Sequence, residues 1–371
     1  MSSVIDLTTD NAIDHSFGSF AQGRTMLTCP NNLAPDEYKI SFQQLLAPKN
    51  LEKALFSSFC VDFEWLLPQI KCPTSILMHP DSENRCLNGK SIALHPNLRI
   101  FFPPFFNGQF GVFHAKIMLL WMKGGLRFVI SSANLMECDY GSVQNILFVQ
   151  DLMPCNEGHL KSSCYRDLTF FLNSCKVPLD SYSDLKNYSW DNVNAQIVFS
   201  IPGNASSGLN MLQGKIASMT QYDAVEAQGS SLGALAPDWL GKFASNVKIV
   251  FPTSRHAHER PGAFGTIFCR EDYWKKYTVK DSFYQCVSIF KNGQALHSKI
   301  ILFIKNNEMK SAYIGSHNFT PSAWGRFTKA GKLFIANYEI GVLLDTEQTR
   351  FKSPYARPVV PYSQCDTPWF Q

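Results

Sequence analysis

Two short segments, far apart in the chain, carry the same polar residues ahead of the same kind of apolar run. They are Phe113-His114-Ala115-Lys116-Ile117-Met118-Leu119-Leu120 and Leu296-His297-Ser298-Lys299-Ile300-Ile301-Leu302-Phe303. Each run leads through a turn, Lys123-Gly124-Gly125 or Lys305-Asn306-Asn307, into a second strand pattern. Those strands close on Ile130-Ser131-Ser132-Ala133-Asn134 and Ile314-Gly315-Ser316-His317-Asn318. The histidines are 183 residues apart and the asparagines 184, a matched offset that marks an internal duplication.

Side chains at i and i+2 of an extended segment face the same way, so each copy presents an imidazole and an ammonium together. The Asn at the end of the neighbouring strand can join them. Two copies packed about a pseudo-two-fold axis present six such groups to one point. This set suits phosphoryl transfer through a protein nucleophile: one imidazole attacks phosphorus, a second protonates the leaving oxygen, and cations and amides hold the non-bridging oxygens. No metal is required by this chemistry, and no cofactor is expected. An imidazole has an unperturbed pKa of about 6.5, so a neutral and a protonated histidine can coexist near neutrality. A single His-x-Lys is commonly a surface pair or a core histidine; two copies with matched Ser-x-Asn endings point to a site.

The duplicated His-x-Lys with its downstream Asn resembles the phospholipase D superfamily. Common members carry an Asp five residues after the Lys, whereas Trp121 and Ile304 stand there in this chain. The absence of both acids resembles the tyrosyl-DNA phosphodiesterase branch. Further stretches similar to that branch are Gln109-Phe110-Gly111, Ser230-Ser231-Leu232-Gly233, the run from Gly315 through Thr320-Pro321-Ser322-Ala323-Trp324-Gly325, and Tyr338-Glu339-Ile340-Gly341-Val342. The resemblance spans about residues 30 to 371. It implies two similar α-β-α domains related by pseudo-two-fold symmetry, an α/β fold with the active site at their interface.

Carried over residue by residue, the resemblance implies His114 as the nucleophile, forming a phosphohistidine with the DNA 3′ phosphate, and His297 as the general acid and then base. Lys116, Lys299, Asn134 and Asn318 would bind phosphate oxygens. Gln144 and Glu339 would orient the two histidines through their other ring nitrogens, although Asn145 adjoins Gln144 and the spacing there is one residue short. Phe110 is a candidate for stacking on a base, with core packing as its alternative, and Ser230 and Ser231 are candidates for holding a DNA phosphate, with an ordinary loop as theirs. Trp324 is expected to pack the helix after the Asn loop, and Lys275, Lys276 and Lys280 to be a solvated face. His256 and His258 have no Cys or acid spaced to complete a metal site.

The implied reaction is metal-independent hydrolysis of 3′-phosphodiester adducts on DNA, notably the 3′-phosphotyrosyl link left by a type IB topoisomerase, leaving a 3′-phosphate. This is a DNA-repair activity of the single-strand-break and exonuclease kind. The implied partners are DNA and a topoisomerase I-derived peptide as substrate. Two alternatives remain open: a phospholipase D-like nuclease or lipid phosphodiesterase on the same fold, and a noncatalytic protein binding DNA ends or SUMO on a decayed scaffold.

Helical and strand patterns alternate around these motifs. Apolar residues recur over 42–67, Val61-Asp62-Phe63-Glu64-Trp65-Leu66 reads as a strand running into a helix, and short β runs lie at 75–77 and 98–102. The turn-formers Ile201-Pro202-Gly203-Asn204-Ala205-Ser206-Ser207-Gly208 predict a boundary, giving a flexible tail at 1–25, a first domain at 26–203 and a second at 204–371. Residues 255–265 read as a surface loop. In the tail, Val4-Ile5-Asp6-Leu7 followed by acids resembles a SUMO-interacting strand, with disorder as the plain alternative.

At 371 residues, 45% hydrophobic and 13% aromatic, the chain has material for two cores. A net charge of +4 suits a polyanionic ligand without the long basic runs of an electrostatic clamp. No apolar stretch approaches the roughly 18 residues of a membrane span, and the acidic start does not read as a secretory signal. Eleven cysteines, scattered and without CxxC spacing, suit reduced thiols. These features lead to the expectation of a nuclear monomer.

Overall fold

The strand that follows each His-x-Lys begins with at least five apolar residues in a row, which a strand tolerates only when both of its faces are covered. In the computed structural model, β7 (Ile117–Met122) turns Ile117, Leu119 and Trp121 into a core shared by the two halves. Met118, Leu120 and Met122 go into a second core behind it. Its counterpart β14 (Ile300–Lys305) sends Ile300, Leu302 and Ile304 into the shared core and Ile301 and Phe303 into a third. The structure describes residues 15–29, 35–80, 85–105, 111–155, 162–258, 265, 267–289 and 294–370.

Among the described residues, the first sheet has the order β2-β1-β9-β8-β7-β3-β4-β6-β5. Its strands are β1 (Arg24–Thr28), β2 (Lys39–Ile40), β3 (Leu51–Ser58), β4 (Thr74–Met78), β5 (Ser91–His95), β6 (Leu98–Phe101), β8 (Gly125–Ser131) and β9 (Ile146–Leu152), with β7. The second has the order β10-β18-β15-β14-β11-β12-β13. It comprises β10 (Gln196–Ser200), β11 (Ala224–Gln228), β12 (Val247–Phe251), β13 (Phe283–Gln285), β15 (Glu308–Gly315) and β18 (Glu339–Asp345), with β14; a small hairpin, β16 (Arg326–Phe327) and β17 (Leu333–Phe334), stands apart.

The two sheets repeat one topology. Antiparallel pairs β1·β9, β9·β8, β8·β7 and β7·β3 match β10·β18, β18·β15, β15·β14 and β14·β11. The parallel pairs β3·β4 and β4·β6 match β11·β12 and β12·β13. The duplication legible in two motifs therefore extends over seven strands. Chain entropy is offset by three apolar layers, and emptying one fully buried position such as Leu119 costs about 2–5 kcal/mol.

Three expectations are corrected. β10, placed with the first half by a boundary at 203, hydrogen-bonds to β18 from Gln196 to Ser200, so the change of sheet falls before Gln196. The turn-formers after it serve the passage into the helix Leu209–Met219. The expected tail at 1–25 is packed from His15 onward: Arg127, wholly buried, donates to the carbonyls of His15 and Ser16 and to both oxygens of Asp151, and lies over the Phe20 ring. A buried pair of this kind is costly to break because the survivor is left as an unpaired charge. The Val4 to Leu7 motif lies outside the described residues. Of the expected loop at 255–265, Ser254–His258 forms a short helix.

No helix among the described residues is long and apolar enough to cross a membrane.

Candidate active site

Each His-x-Lys segment leaves its own sheet before the strand begins and is strapped to the other half. The His114 N–H donates to the Tyr338 carbonyl at 2.9 Å, and the Tyr338 N–H returns to the Val112 carbonyl at 2.9 Å. The His297 N–H donates to the Gln144 carbonyl at 2.9 Å, and the Gln144 N–H returns to Ala295 at 2.9 Å. Two short parallel bridges, Phe113 with Tyr338 and Gln144 with Leu296, thus cross between the halves. They bring the two motifs together at the interface.

The residue after each strap holds the imidazole of the opposite half. Glu339 Oε2 lies 2.9 Å from His114 Nδ1, which also lies 2.9 Å from the Ser316 carbonyl. Asn145 Oδ1 lies 3.0 Å from His297 Nδ1. The serine of each Ile-x-Ser-x-Asn fixes that residue: Ser316 Oγ donates to Glu339 at 2.5 Å and Ser132 Oγ to Asn145 Oδ1 at 2.8 Å. With Nδ1–H donated to an acceptor, Nε2 of each ring is left for chemistry.

Gln144, expected to orient His297, supplies its backbone instead. Its side-chain amide turns away to donate to the Thr28 and Asn145 carbonyls, because alternation along the segment points the next side chain, Asn145, at the histidine. A second acceptor was missed altogether: Asp139, in the short helix Glu137–Gly141, has Oδ1 2.9 Å from His297 Nδ1. One signal was available, since Asn145-Ile146 and Glu339-Ile340 both open the last strand of their sheets. No comparable signal marked Asp139.

Lys116 and Lys299 are buried at 1% and 0% exposure and donate to the carbonyls of His114 and His297, so each ammonium is folded back beside its own histidine. Asn318 Oδ1 accepts from Ser230 Oγ at 3.1 Å and from the Ser231 N–H at 3.0 Å. Ser230 and Ser231 are therefore at the site, where they fix the Asn318 amide with its Nδ2 donor left for a ligand. The Asn134 N–H donates to Asp139 Oδ2 at 3.0 Å, while its buried Oδ1 has no hydrogen-bond partner. Phe110 lies outside the described residues. Phe59, not anticipated, has its ring 5.6 Å from that of His114 and stacks on His79 at 5.2 Å, with Phe105 edge-on beyond. Trp324 is buried against His317, as its helix-packing expectation requires.

The site concentrates charge where water is scarce. Burial pulls His297 down to about 4, the Lys299 charge adds to that, and Asp139 opposes it. Burial likewise lowers His114, with Glu339 opposing. Lys116 is lowered by burial to about 8 and Lys299 falls well below the usual lysine range. Burial would raise Glu339, but the His114 charge and hydrogen bond, with His317 and Lys116, bring it down to about 2. Against its burial, Asp139 is likewise held low by the His297 charge and hydrogen bond, so both carboxylates are ionised, and a negative charge placed between the lysines and histidines would raise those groups again.

A family model described as tyrosyl-DNA phosphodiesterase matches residues 24–364. The chain belongs to the tyrosyl-DNA phosphodiesterase family. Tyrosyl-DNA phosphodiesterase 1 of Drosophila melanogaster is 23% identical to it, covering 93% of this chain and 72% of the relative. A probable tyrosyl-DNA phosphodiesterase of Caenorhabditis elegans is also 23% identical, covering 89% and 84%. The crystal structure of the yeast tyrosyl-DNA phosphodiesterase superposes with a TM-score of 0.74 at 18% identity, covering 94% of this chain and 99% of that one, which shows the fold. The mixed α/β architecture and the enzyme class follow from these matches: a phosphodiesterase of a family that acts on DNA.

Proposed function

We propose that this chain hydrolyses 3′-phosphodiester adducts on DNA, notably the 3′-phosphotyrosyl link left by a type IB topoisomerase, through a phosphohistidine on His114. The observation that carries this is the pair of imidazoles from opposite halves, each with Nδ1 held by a buried acceptor of the other half. His114 Nε2 attacks phosphorus as the bond to the tyrosyl oxygen breaks, and His297 Nε2–H gives that oxygen its proton. Water then attacks the phosphohistidine while His297 takes its proton. The phosphorus–nitrogen bond breaks with its electron pair returning to His114, and the DNA leaves as a 3′-phosphate.

Lys116, Lys299, Asn134 and Asn318 hold the non-bridging oxygens, with Ser230 and Ser231 keeping the Asn318 amide in register. Glu339 stabilises the positive charge that forms on the His114 ring during attack. Phe59, beside His114, offers a face on which a terminal base stacks. The lysines supply the positive charge that a divalent ion supplies elsewhere, so the reaction is independent of metal, and DNA repair in the nucleus is its setting.

The test is cleavage of a single-stranded oligonucleotide bearing a 3′-phosphotyrosine in EDTA. Conversion to the 3′-phosphate is expected. Activity that returns only with a divalent ion, or an intact DNA substrate beside a cleaved phospholipid, would overturn the proposal.

A further inference from the structure

His114 has a carboxylate from the opposite half at its Nδ1. His297, viewed through the pseudo-symmetry alone, has only the Asn145 amide at the equivalent place. An amide accepts the Nδ1–H bond but carries no net charge. It therefore fixes the tautomer without stabilising an imidazolium, and an imidazolium is what a general acid must start as. Asp139 supplies the missing charge from outside the repeat.

Asp139 is 4% exposed and both its carboxylate oxygens are used: Oδ1 lies 2.9 Å from His297 Nδ1 and 3.1 Å from Asn145 Nδ2, and Oδ2 accepts the Asn134 N–H at 3.0 Å. The Asp139 carbonyl takes the other Asn145 amide bond at 2.8 Å. We infer that Asp139 is the charge-bearing positioning residue of His297, holding it protonated in the substrate complex for the departure of a poor leaving group. The inference rests on the phosphodiesterase reading above and adds a residue to it.

The charged groups facing His297 are Asp139, from the helix Glu137–Gly141, Lys299 on its own segment and Lys116 from the first half. Cys60 and Tyr140 also face Asp139, but burial raises both and keeps them neutral, so neither replaces its charge. The bond to the Asn134 N–H couples the same carboxylate to a phosphate-site asparagine. Proton delivery and phosphate binding therefore share one anchor.

The experiment is the pH profile of kcat on two oligonucleotides, one ending in 3′-phosphotyrosine and one in a 3′-nitrophenyl phosphate whose leaving group needs little protonation. In Asp139→Asn the alkaline limb on phosphotyrosine is expected to move down by about one pH unit or more, with a much smaller loss on the nitrophenyl ester. Asp139→Glu is expected to restore part of the limb. Should Asp139→Asn not fold, Asp139→Ser, which removes the charge and keeps a hydroxyl for the Asn134 N–H, is expected to show the same displaced limb. A wild-type limb with equal losses on both esters in Asp139→Asn or Asp139→Ser overturns the role of Asp139 alone. A wild-type chain that cleaves neither ester overturns the phosphodiesterase reading with it.

Discussion

Asn145 and Glu339 occupy the same place in the two halves of this chain. Each follows the residue whose carbonyl takes the N–H of the opposite half's His-x-Lys histidine. Each accepts a bond from the serine of the Ile-x-Ser-x-Asn motif, and each precedes an isoleucine whose N–H donates back to that serine, Ile146 to Ser132 and Ile340 to Ser316. The equivalence covers the hydrogen bonds and stops at the charge.

That difference in charge makes Glu339 testable by itself. In Glu339→Gln the His114 Nδ1–H keeps an acceptor, so the ring stays in place, but the charge that forms on it during attack loses its counterion. The single-turnover rate on phosphotyrosyl DNA is expected to fall roughly 100-fold with little change in substrate affinity. An unchanged rate would remove Glu339 from the chemistry.

Stability should fall on acidification in two stages. His297 sits at about 4 when folded against 6.5 in its ordinary state, so the unfolded chain binds the extra proton between those values and stability drops as pH falls from about 6.5 to 4. Glu339 sits at about 2 against 4.5, so its contribution, complete above 4.5, is lost between 4.5 and 2. Each fully shifted group is worth on the order of 3 kcal/mol. Thermal melts across this range check it, and a melting temperature that is flat from pH 6.5 to 4 would contradict the buried, neutral state of His297.

What the sequence disclosed and what it hid divide along physical lines. The paired His-x-Lys runs were visible because their chemistry and strand pattern are local, and β7 and β14 fell where the continuous apolar runs put them. Asn145 was obscured because Asn134 precedes it by 11 residues, whereas Asn318 precedes Glu339 by 21, the hairpin β16–β17 filling the difference. Spacing from the asparagines could not align the two; the isoleucine-led run that follows Asn145 and Glu339 does, and the straps between the halves bear it out. Asp139 was invisible for a different reason: an acid in the first turn of a short helix is ordinarily a favourable surface residue, and its partner His297 lies in the other half of the chain. β10 was assigned to the wrong half because Pro202-Gly203 marks a turn equally well inside a domain as between two.

The division of labour between the two histidines is the central claim. The most direct test is incubation of His297→Asn and His114→Ala with 3′-phosphotyrosyl DNA, followed by denaturing electrophoresis for protein joined covalently to DNA. His297→Asn is expected to accumulate an adduct that is stable to denaturation and labile to acid, as a phosphohistidine is, and His114→Ala to form none and leave the substrate intact. An adduct on His114→Ala and none on His297→Asn would contradict the assignment and exchange the two roles.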